Sequence, residues 1–113
     1  MFGGGEVEKL KVKEQILLAY YTQYNIDVSK MYKVHLELSK KMDVSSYRNA
    51  MIQLGNERLI DGIVEVPIPG SPAKGIKVMS PMITPEGIQV VEELLDVKWT
   101  PSSRQLFYKF KVH

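Results

Sequence analysis

VSSYRNAMIQLGNERLIDG, residues 44–62, contains the switch of pattern that decides the fold. Tyr47, Ala50, Met51 and Leu54 fall on one face of a helix with 3.6 residues per turn. Arg48, Asn49, Gln53 and Asn56 project away from that face. The predicted helix runs from about Ser46 to Glu57, and Asp43-Val44-Ser45 before it supplies capping side chains. Leu59 and Ile60 carry the apolar stripe past the helix end. From Ile60 to Ile68 the period becomes two, in a run rich in Ile and Val interrupted by Asp61-Gly62.

Downstream, Ile76 to Met79 is a second short strand-like run. Pro69-Gly70-Ser71-Pro72-Ala73-Lys74-Gly75 lies between the two runs and is dense in turn formers, so the pair reads as a hairpin with a long tip. Pro67 and Pro81 mark edge-like, twisted strands. Thr84-Pro85-Glu86 is a helix start, with Thr as N-cap, Pro at the first helical position and Glu in the first turn. That helix is predicted to run to about Asp96, with Ile88, Val91, Leu94 and Leu95 on one face. Lys98 to Ser103 reads as a linker. Leu106, Tyr108, Phe110 and Val112 then alternate with Lys109 and Lys111, as in a terminal strand.

Upstream, Asp27 or Ser29 caps a helix reaching about Met42, with Met31, Val34, Leu38 and Met42 as its apolar face. Lys30, Lys33, Glu37, Lys40 and Lys41 lie on its other side. A first helix is predicted from about Val7 to Tyr24, with Leu10, Leu17, Tyr21 and Tyr24 as its stripe and Ile16 and Tyr20 flanking. Asn25-Ile26-Asp27 ends it with turn chemistry. The expected organisation is a glycine-rich lead-in over residues 1–6, one domain over 7–96, and a basic, aromatic tail over 97–113.

Composition narrows the function classes. With 113 residues, 44% hydrophobic and 25% charged, the chain has the make-up of one ordinary globular domain. It has no cysteine, which excludes a disulfide scaffold, a thiolate zinc site and a thiol nucleophile. His35 and His113 are its two histidines, too few for a His-rich metal site or a confident Ser-His-Asp grouping. Gly70-Ser71-Pro72-Ala73-Lys74-Gly75 lacks the spacing of a phosphate-binding loop, and Glu92 and Glu93 are adjacent on a helix and point apart. The expectation is a protein that is not an enzyme and uses no metal or cofactor. No apolar run approaches the ~20 residues of a membrane span, and the Gly-rich, acidic start is unlike a signal peptide. A soluble, cytoplasmic protein is expected. The net charge of +2 is unevenly spread: residues 61–97 carry two basic against six acidic side chains, and residues 98–113 carry four basic and no acidic ones.

The order helix, helix, helix, strand, long turn, strand, helix resembles that of the winged helix-turn-helix superfamily. Val44–Gly62 resembles its recognition helix running into the first wing strand: a polar start, an aromatic, apolar residues at helical spacing, then Leu59-Ile60-Asp61-Gly62. Met82-Ile83-Thr84-Pro85-Glu86-Gly87 resembles the opening of the last helix in small bacterial and prophage winged-helix proteins. The resemblance covers roughly residues 7–96. It implies an α+β fold: a three-helix helix-turn-helix core, a β-hairpin wing and a C-terminal helix. It also implies a DNA-binding transcriptional regulator, of prophage type, with double-stranded DNA as partner and the third helix in the major groove.

On that reading Arg48 reaches guanine O6 and N7, and Asn49 and Gln53 pair with adenine N6 and N7. Ser45 and Ser46, with the free N–H groups of the helix start, hold a phosphate. Lys30, Lys33, Lys40 and Lys41 meet backbone phosphates, and Lys74 follows the neighbouring backbone from the wing. Plainer readings stand beside these. Asn49, Gln53 and the lysines are also what solvated helix faces carry, Arg48 pairs with a nearby carboxylate, and Ser45 and Ser46 serve as caps. His35 is read as a satisfied or half-buried histidine, and Tyr20, Tyr21 and Tyr24 as core or interface material. Sequence-specific regulators of this kind usually act as two-fold dimers, and the last helix with the tail residues Trp99, Leu106, Phe107, Tyr108 and Phe110 is the expected homodimer surface. The competing reading is a winged helix recruited as a protein-interaction module without DNA binding, which the acidic stretch 61–97 and the modest charge of the third helix favour.

Overall fold

The computed structural model describes residues 10–94, 96–100 and 105–108. The lead-in over 1–6, the predicted first turn over 7–9, the side chain of Leu95, and Phe110 and Val112 of the predicted terminal strand lie outside the described residues.

Helix α1 spans Val12–Ile26. It starts later than the apolar spacing predicts, because Lys11 has extended backbone and its N–H is taken by the Glu14 carboxylate at 3.0 Å. Ile16, Leu17, Leu18, Tyr20 and Tyr21 are all buried, a wider arc than one stripe. The cause is that α1 is the central helix, touched by every other helix and by the hairpin. Tyr24, expected in the stripe, is exposed at the far end of α1, where the neighbouring elements no longer cover it.

Asp27 ends α1 and caps a short 3-10 turn, Val28–Lys30, by accepting from the Ser29 N–H at 3.1 Å and hydroxyl at 2.6 Å. The turn leads into α2, Met31–Lys41. Met31 and Val34 are buried, and Leu38 and Met42 pack partly on the core. Helix α3 spans Val44–Asn56, starting two residues before the predicted position because Asp43 is its N-cap. The Asp43 carboxylate accepts from the Ser46 N–H at 3.0 Å and hydroxyl at 3.1 Å. Tyr47, Ala50, Met51 and Leu54 are buried as their spacing predicts.

The chain leaves α3 through Arg58 at φ 60, in the left-handed region. The Leu59 N–H returns to the Leu54 carbonyl at 2.9 Å and the Arg58 N–H to that of Gly55 at 3.1 Å, closing the helix with a Schellman pair. Strands β1, Ile60–Pro67, and β2, Lys74–Ile83, form an antiparallel hairpin with Ile60 opposite Ile83 and Pro67 opposite Lys74. The register is irregular between Asp61 and Ile63. Gly62 sits there at φ 85, and a Cβ on it would collide with the Ser80 carbonyl. This irregularity lets β2 run through Pro81, which is buried, well beyond the predicted end at Met79.

Helix α4 spans Pro85–Leu94 and ends before the predicted Asp96, which has φ 53. The Tyr21 hydroxyl donates to Glu92 at 2.7 Å and ties α4 to α1. Val91 is buried and Ile88 packs partly on the core, whereas Leu94, predicted on the same face, is 76% exposed. The chain then forms a second hairpin, β3 (Val97–Thr100) against β4 (Gln105–Tyr108), with Val97 opposite Tyr108. Lys98–Thr100, read as linker, is therefore strand; its partner begins one residue before Leu106. The whole is an α+β arrangement: three helices, a two-stranded hairpin, a fourth helix, and a short second hairpin.

Candidate nucleic-acid interface

The outward side of α3 follows from its core side. Because Tyr47, Ala50, Met51 and Leu54 are buried, Ser45, Asn49 and Asn56 stand near the opposite pole, with Ser46 and Gln53 on one flank and Arg48 on the other. Ser45, Ser46, Asn49, Gln53 and Asn56 are all exposed, and none is charged.

The two flanks meet different neighbours. Ser46, Asn49 and Gln53 line a groove of about 420 Å³ together with Lys11, Val12 and Lys13 from the start of α1. The Lys13 ammonium lies 2.8 Å from one Glu57 oxygen and 2.9 Å from the other. Lys11 is in no ion pair among the described residues, so it is the groove's unneutralised cation. Lys11 is not among the site residues that the sequence pattern singles out. Its place beside Asn49 depends on how α1 crosses α3, which spacing along one helix does not reveal.

Arg48 faces the other way, into a groove of about 230 Å³ between α2, α3 and β2, lined by His35, Ser39, Val44, Tyr47, Arg48 and Ile76. Its Nη2 lies 3.5 Å from the Ser45 hydroxyl, and its Nε is enclosed without an acceptor. An enclosed donor left unpaired costs about 1–3 kcal/mol. Among the described residues Arg48 has no carboxylate within ion-pair distance, and the nearby carboxylate that feels its charge is that of Asp43. In this position it is not extended from the helix as a reader of base edges would be.

The lysines are spread along α2 and the hairpin. Lys40 and Lys41 end α2, next to the start of α3, and both are exposed. Lys33 is exposed earlier on the same helix. Lys30 sits just before Met31, at the other end of an 11-residue helix, roughly 16 Å away, and lies 3.9 Å from Asp27. Lys74 opens β2 at the hairpin tip, opposite Pro67. It shares a strand face with Ile76, the residue that reaches the Arg48 groove. Thus Ser46, Asn49 and Gln53 come together, Lys40 and Lys41 stand close in the chain, and Arg48, Lys30 and Lys74 lie apart.

The start of α3 already holds an anion. Hydrogen bonds from Ser46 keep the Asp43 carboxyl below its ordinary range. Asp43 thus occupies the N–H that was expected to meet a phosphate.

A polar chain runs beneath the site. The buried Tyr20 hydroxyl lies 3.2 Å from that of Tyr47, which lies 2.8 Å from His35 Nδ1. Tyr20 is fully buried and has no other hydrogen-bond partner among the described residues, so its proton is best placed on the bond to Tyr47, which frees the Tyr47 proton for Nδ1. The neutral imidazole then carries its proton on Nε2. Burial is the main cause of the upward shift at Tyr47, to about 12, and the bond from Tyr20 opposes it. Burial holds His35 below its ordinary value. The expected half-buried histidine is present, with a defined direction of hydrogen bonding.

Among the described residues no three His, Asp or Glu side chains converge as metal ligands do, and no helix is long and apolar enough to cross a membrane. The chain matches no family model, no curated protein and no solved structure.

Proposed function

We propose that the chain is a winged-helix DNA-binding protein that regulates transcription, with α3 entering the major groove and the β1–β2 hairpin as its wing. The observation that carries this reading is the outward face of α3, where five exposed polar side chains stand without a carboxylate among them. Asn49 and Gln53 have the donor–acceptor pair that adenine presents in the major groove. Lys11 on one side and Lys40 and Lys41 on the other supply the cations that phosphates require. Arg48 takes part only after leaving its groove. A two-fold dimer fits this role, with α4 and its exposed Leu94 as the meeting surface.

The test is fluorescence anisotropy with a labelled mixed-sequence duplex from ~50 to 200 mM salt. Affinity falling on a straight log–log line, with a slope of about −0.9 per phosphate contacted, supports the reading. Absence of binding at ~50 mM salt overturns it.

One observation favours an interaction module instead. Val28, Tyr32 and Met79 line a groove between the start of α2 and the end of β2, and all three are exposed. Leu36, one turn beyond Tyr32, is exposed as well. A contiguous apolar band of this kind is what protein partners cover. In that case DNA binding is absent, and Met79→Asp abolishes partner binding without unfolding the protein.

A further inference from the structure

We propose that the groove between α2, α3 and β2 binds a small organic carboxylate, its oxygens held by Arg48 and His35 and its apolar body by Val44, Tyr47 and Ile76. This goes beyond the DNA reading and does not depend on it.

Three observations lead there. The first is the state of Arg48. A guanidinium offers five N–H donors, and this one makes a single contact at 3.5 Å while its Nε is enclosed without an acceptor. Arginine is the residue best matched to the two parallel oxygens of a carboxylate. The second is His35. The chain from Tyr20 through Tyr47 commits Nδ1 as acceptor and leaves the proton on Nε2, which has no partner among the described residues. Two donor side chains from different helices therefore line one groove. Ser39, the remaining polar wall, already donates its hydroxyl proton to the Leu36 carbonyl at 2.9 Å. The third is the rest of the lining. Val44, the Tyr47 ring and Ile76 are apolar, and no acidic side chain lines the groove. The Asp43 carboxylate, bonded to Ser46, feels the Arg48 charge from beside the groove but does not line it and lies outside ion-pair distance.

The ligand class follows from charge and shape. One guanidinium and one neutral imidazole balance a single negative charge. A phosphate monoester brings ≈ −1.5 to −2 at neutral pH and would leave charge uncompensated. A groove of about 230 Å³ with apolar walls takes one ring or a branched chain behind the carboxylate.

The test is a titration of the intact protein with benzoate at constant ionic strength, read by the NMR signals of the Arg48 guanidinium and the Tyr47 ring. Saturable shifts in the millimolar range are expected. Val44→Glu places a carboxylate at the groove's edge, at an exposed first-turn position where an acid suits the helix, so the fold is retained. It weakens benzoate about tenfold or more, and Arg48→Gln abolishes saturation. Absence of a saturable shift in the parent protein overturns the proposal. So does affinity unchanged by Val44→Glu, equal binding of uncharged benzyl alcohol, or equal binding of inorganic phosphate, which has no apolar body.

Discussion

The Thr84 hydroxyl donates to the Arg58 carbonyl at 2.8 Å, joining the exit of α3 to the start of α4 across 26 residues of chain. The same oxygen accepts the Gly87 N–H at 2.9 Å, and the Thr84 N–H meets the Leu59 carbonyl at 3.0 Å. Thr84 is thus at once a helix cap and the lock at the base of the β1–β2 hairpin. Thr84→Val keeps the shape but removes both hydroxyl bonds. Losing an N-cap costs about 0.5–2 kcal/mol, and the hydroxyl's donation to the Arg58 carbonyl, worth about 1 kcal/mol, is lost with it. Urea unfolding of Thr84→Val is expected to show a loss of about 2–3 kcal/mol with an unchanged m-value.

Arg58 occupies a left-handed position that glycine fills without strain. No residue of the Schellman pair uses the Arg58 side chain; its N–H and carbonyl make the bonds. Arg58→Gly relieves backbone strain but gives the unfolded chain more freedom, and the two effects oppose each other. The expected net result is a gain of about 0.5–1 kcal/mol, read from the denaturation midpoint. A loss of stability would place the Arg58 side chain in a contact that matters more than its backbone.

Tyr47→Phe removes the centre of the Tyr20–Tyr47–His35 chain. It strands the hydroxyl of a fully buried Tyr20 and is expected to cost about 1–3 kcal/mol. Adding Tyr20→Phe removes the stranded group as well. The double variant is therefore expected to be more stable than Tyr47→Phe alone, a non-additivity that a double-mutant cycle measures directly.

The same chain sets a pH dependence. His35 is held below its ordinary value, by burial, so the folded protein prefers the neutral ring. A proton on Nδ1 would also force Tyr47 to accept there and leave one hydroxyl proton of the Tyr20–Tyr47 pair without an acceptor in the chain. The unfolded chain then binds more protons than the native one, and stability rises with pH in that window. The His35 contribution is complete above the ordinary histidine value of about 6.5 and is lost progressively as pH falls below it. Asp27 and Asp43, whose pKa values are lowered by their bonds to Ser29 and Ser46, lose their contributions only in the more acidic range below 3.8. Urea midpoints between pH ~7.5 and ~5 should fall for the parent and stay flatter for His35→Asn. His113 is present in both proteins, so the difference reports His35.

Much of this fold was legible along the chain because its signals are local. Tyr47, Ala50, Met51 and Leu54 show a helix face by spacing alone, and Thr84-Pro85-Glu86 marks a helix start by chemistry alone. The breadth of the α1 core arc was not legible, since burial of Leu18 beside Leu17 depends on α1 being surrounded. Nor was the passage of β2 through Pro81, which requires the irregular register at Gly62 on the opposing strand. At the candidate site, the exposed polar residues of α3 could be chosen from their phase. The division of them between two grooves could not, because it depends on where Lys11 and Ile76 arrive from distant parts of the chain.

That division sharpens what substitutions should do to DNA binding. Asn49 and Gln53 share a groove with Lys11, which is in no ion pair among the described residues, whereas Arg48 is turned into the other groove. Asn49→Ala or Gln53→Ala should relax preference at one base pair by about 1–3 kcal/mol and leave the salt slope unchanged. Lys40→Ala and Lys11→Ala should weaken all sequences alike and reduce the magnitude of the slope by about 0.9 each. Arg48→Ala should do less to sequence preference than Asn49→Ala, because reading a base would first draw the guanidinium out of its groove. Site selection followed by anisotropy on the selected and scrambled duplexes separates these effects. If Arg48→Ala instead erases the preference while Asn49→Ala leaves it intact, the docking face of α3 is the Arg48 flank, and the helix lies in the groove rotated toward β2.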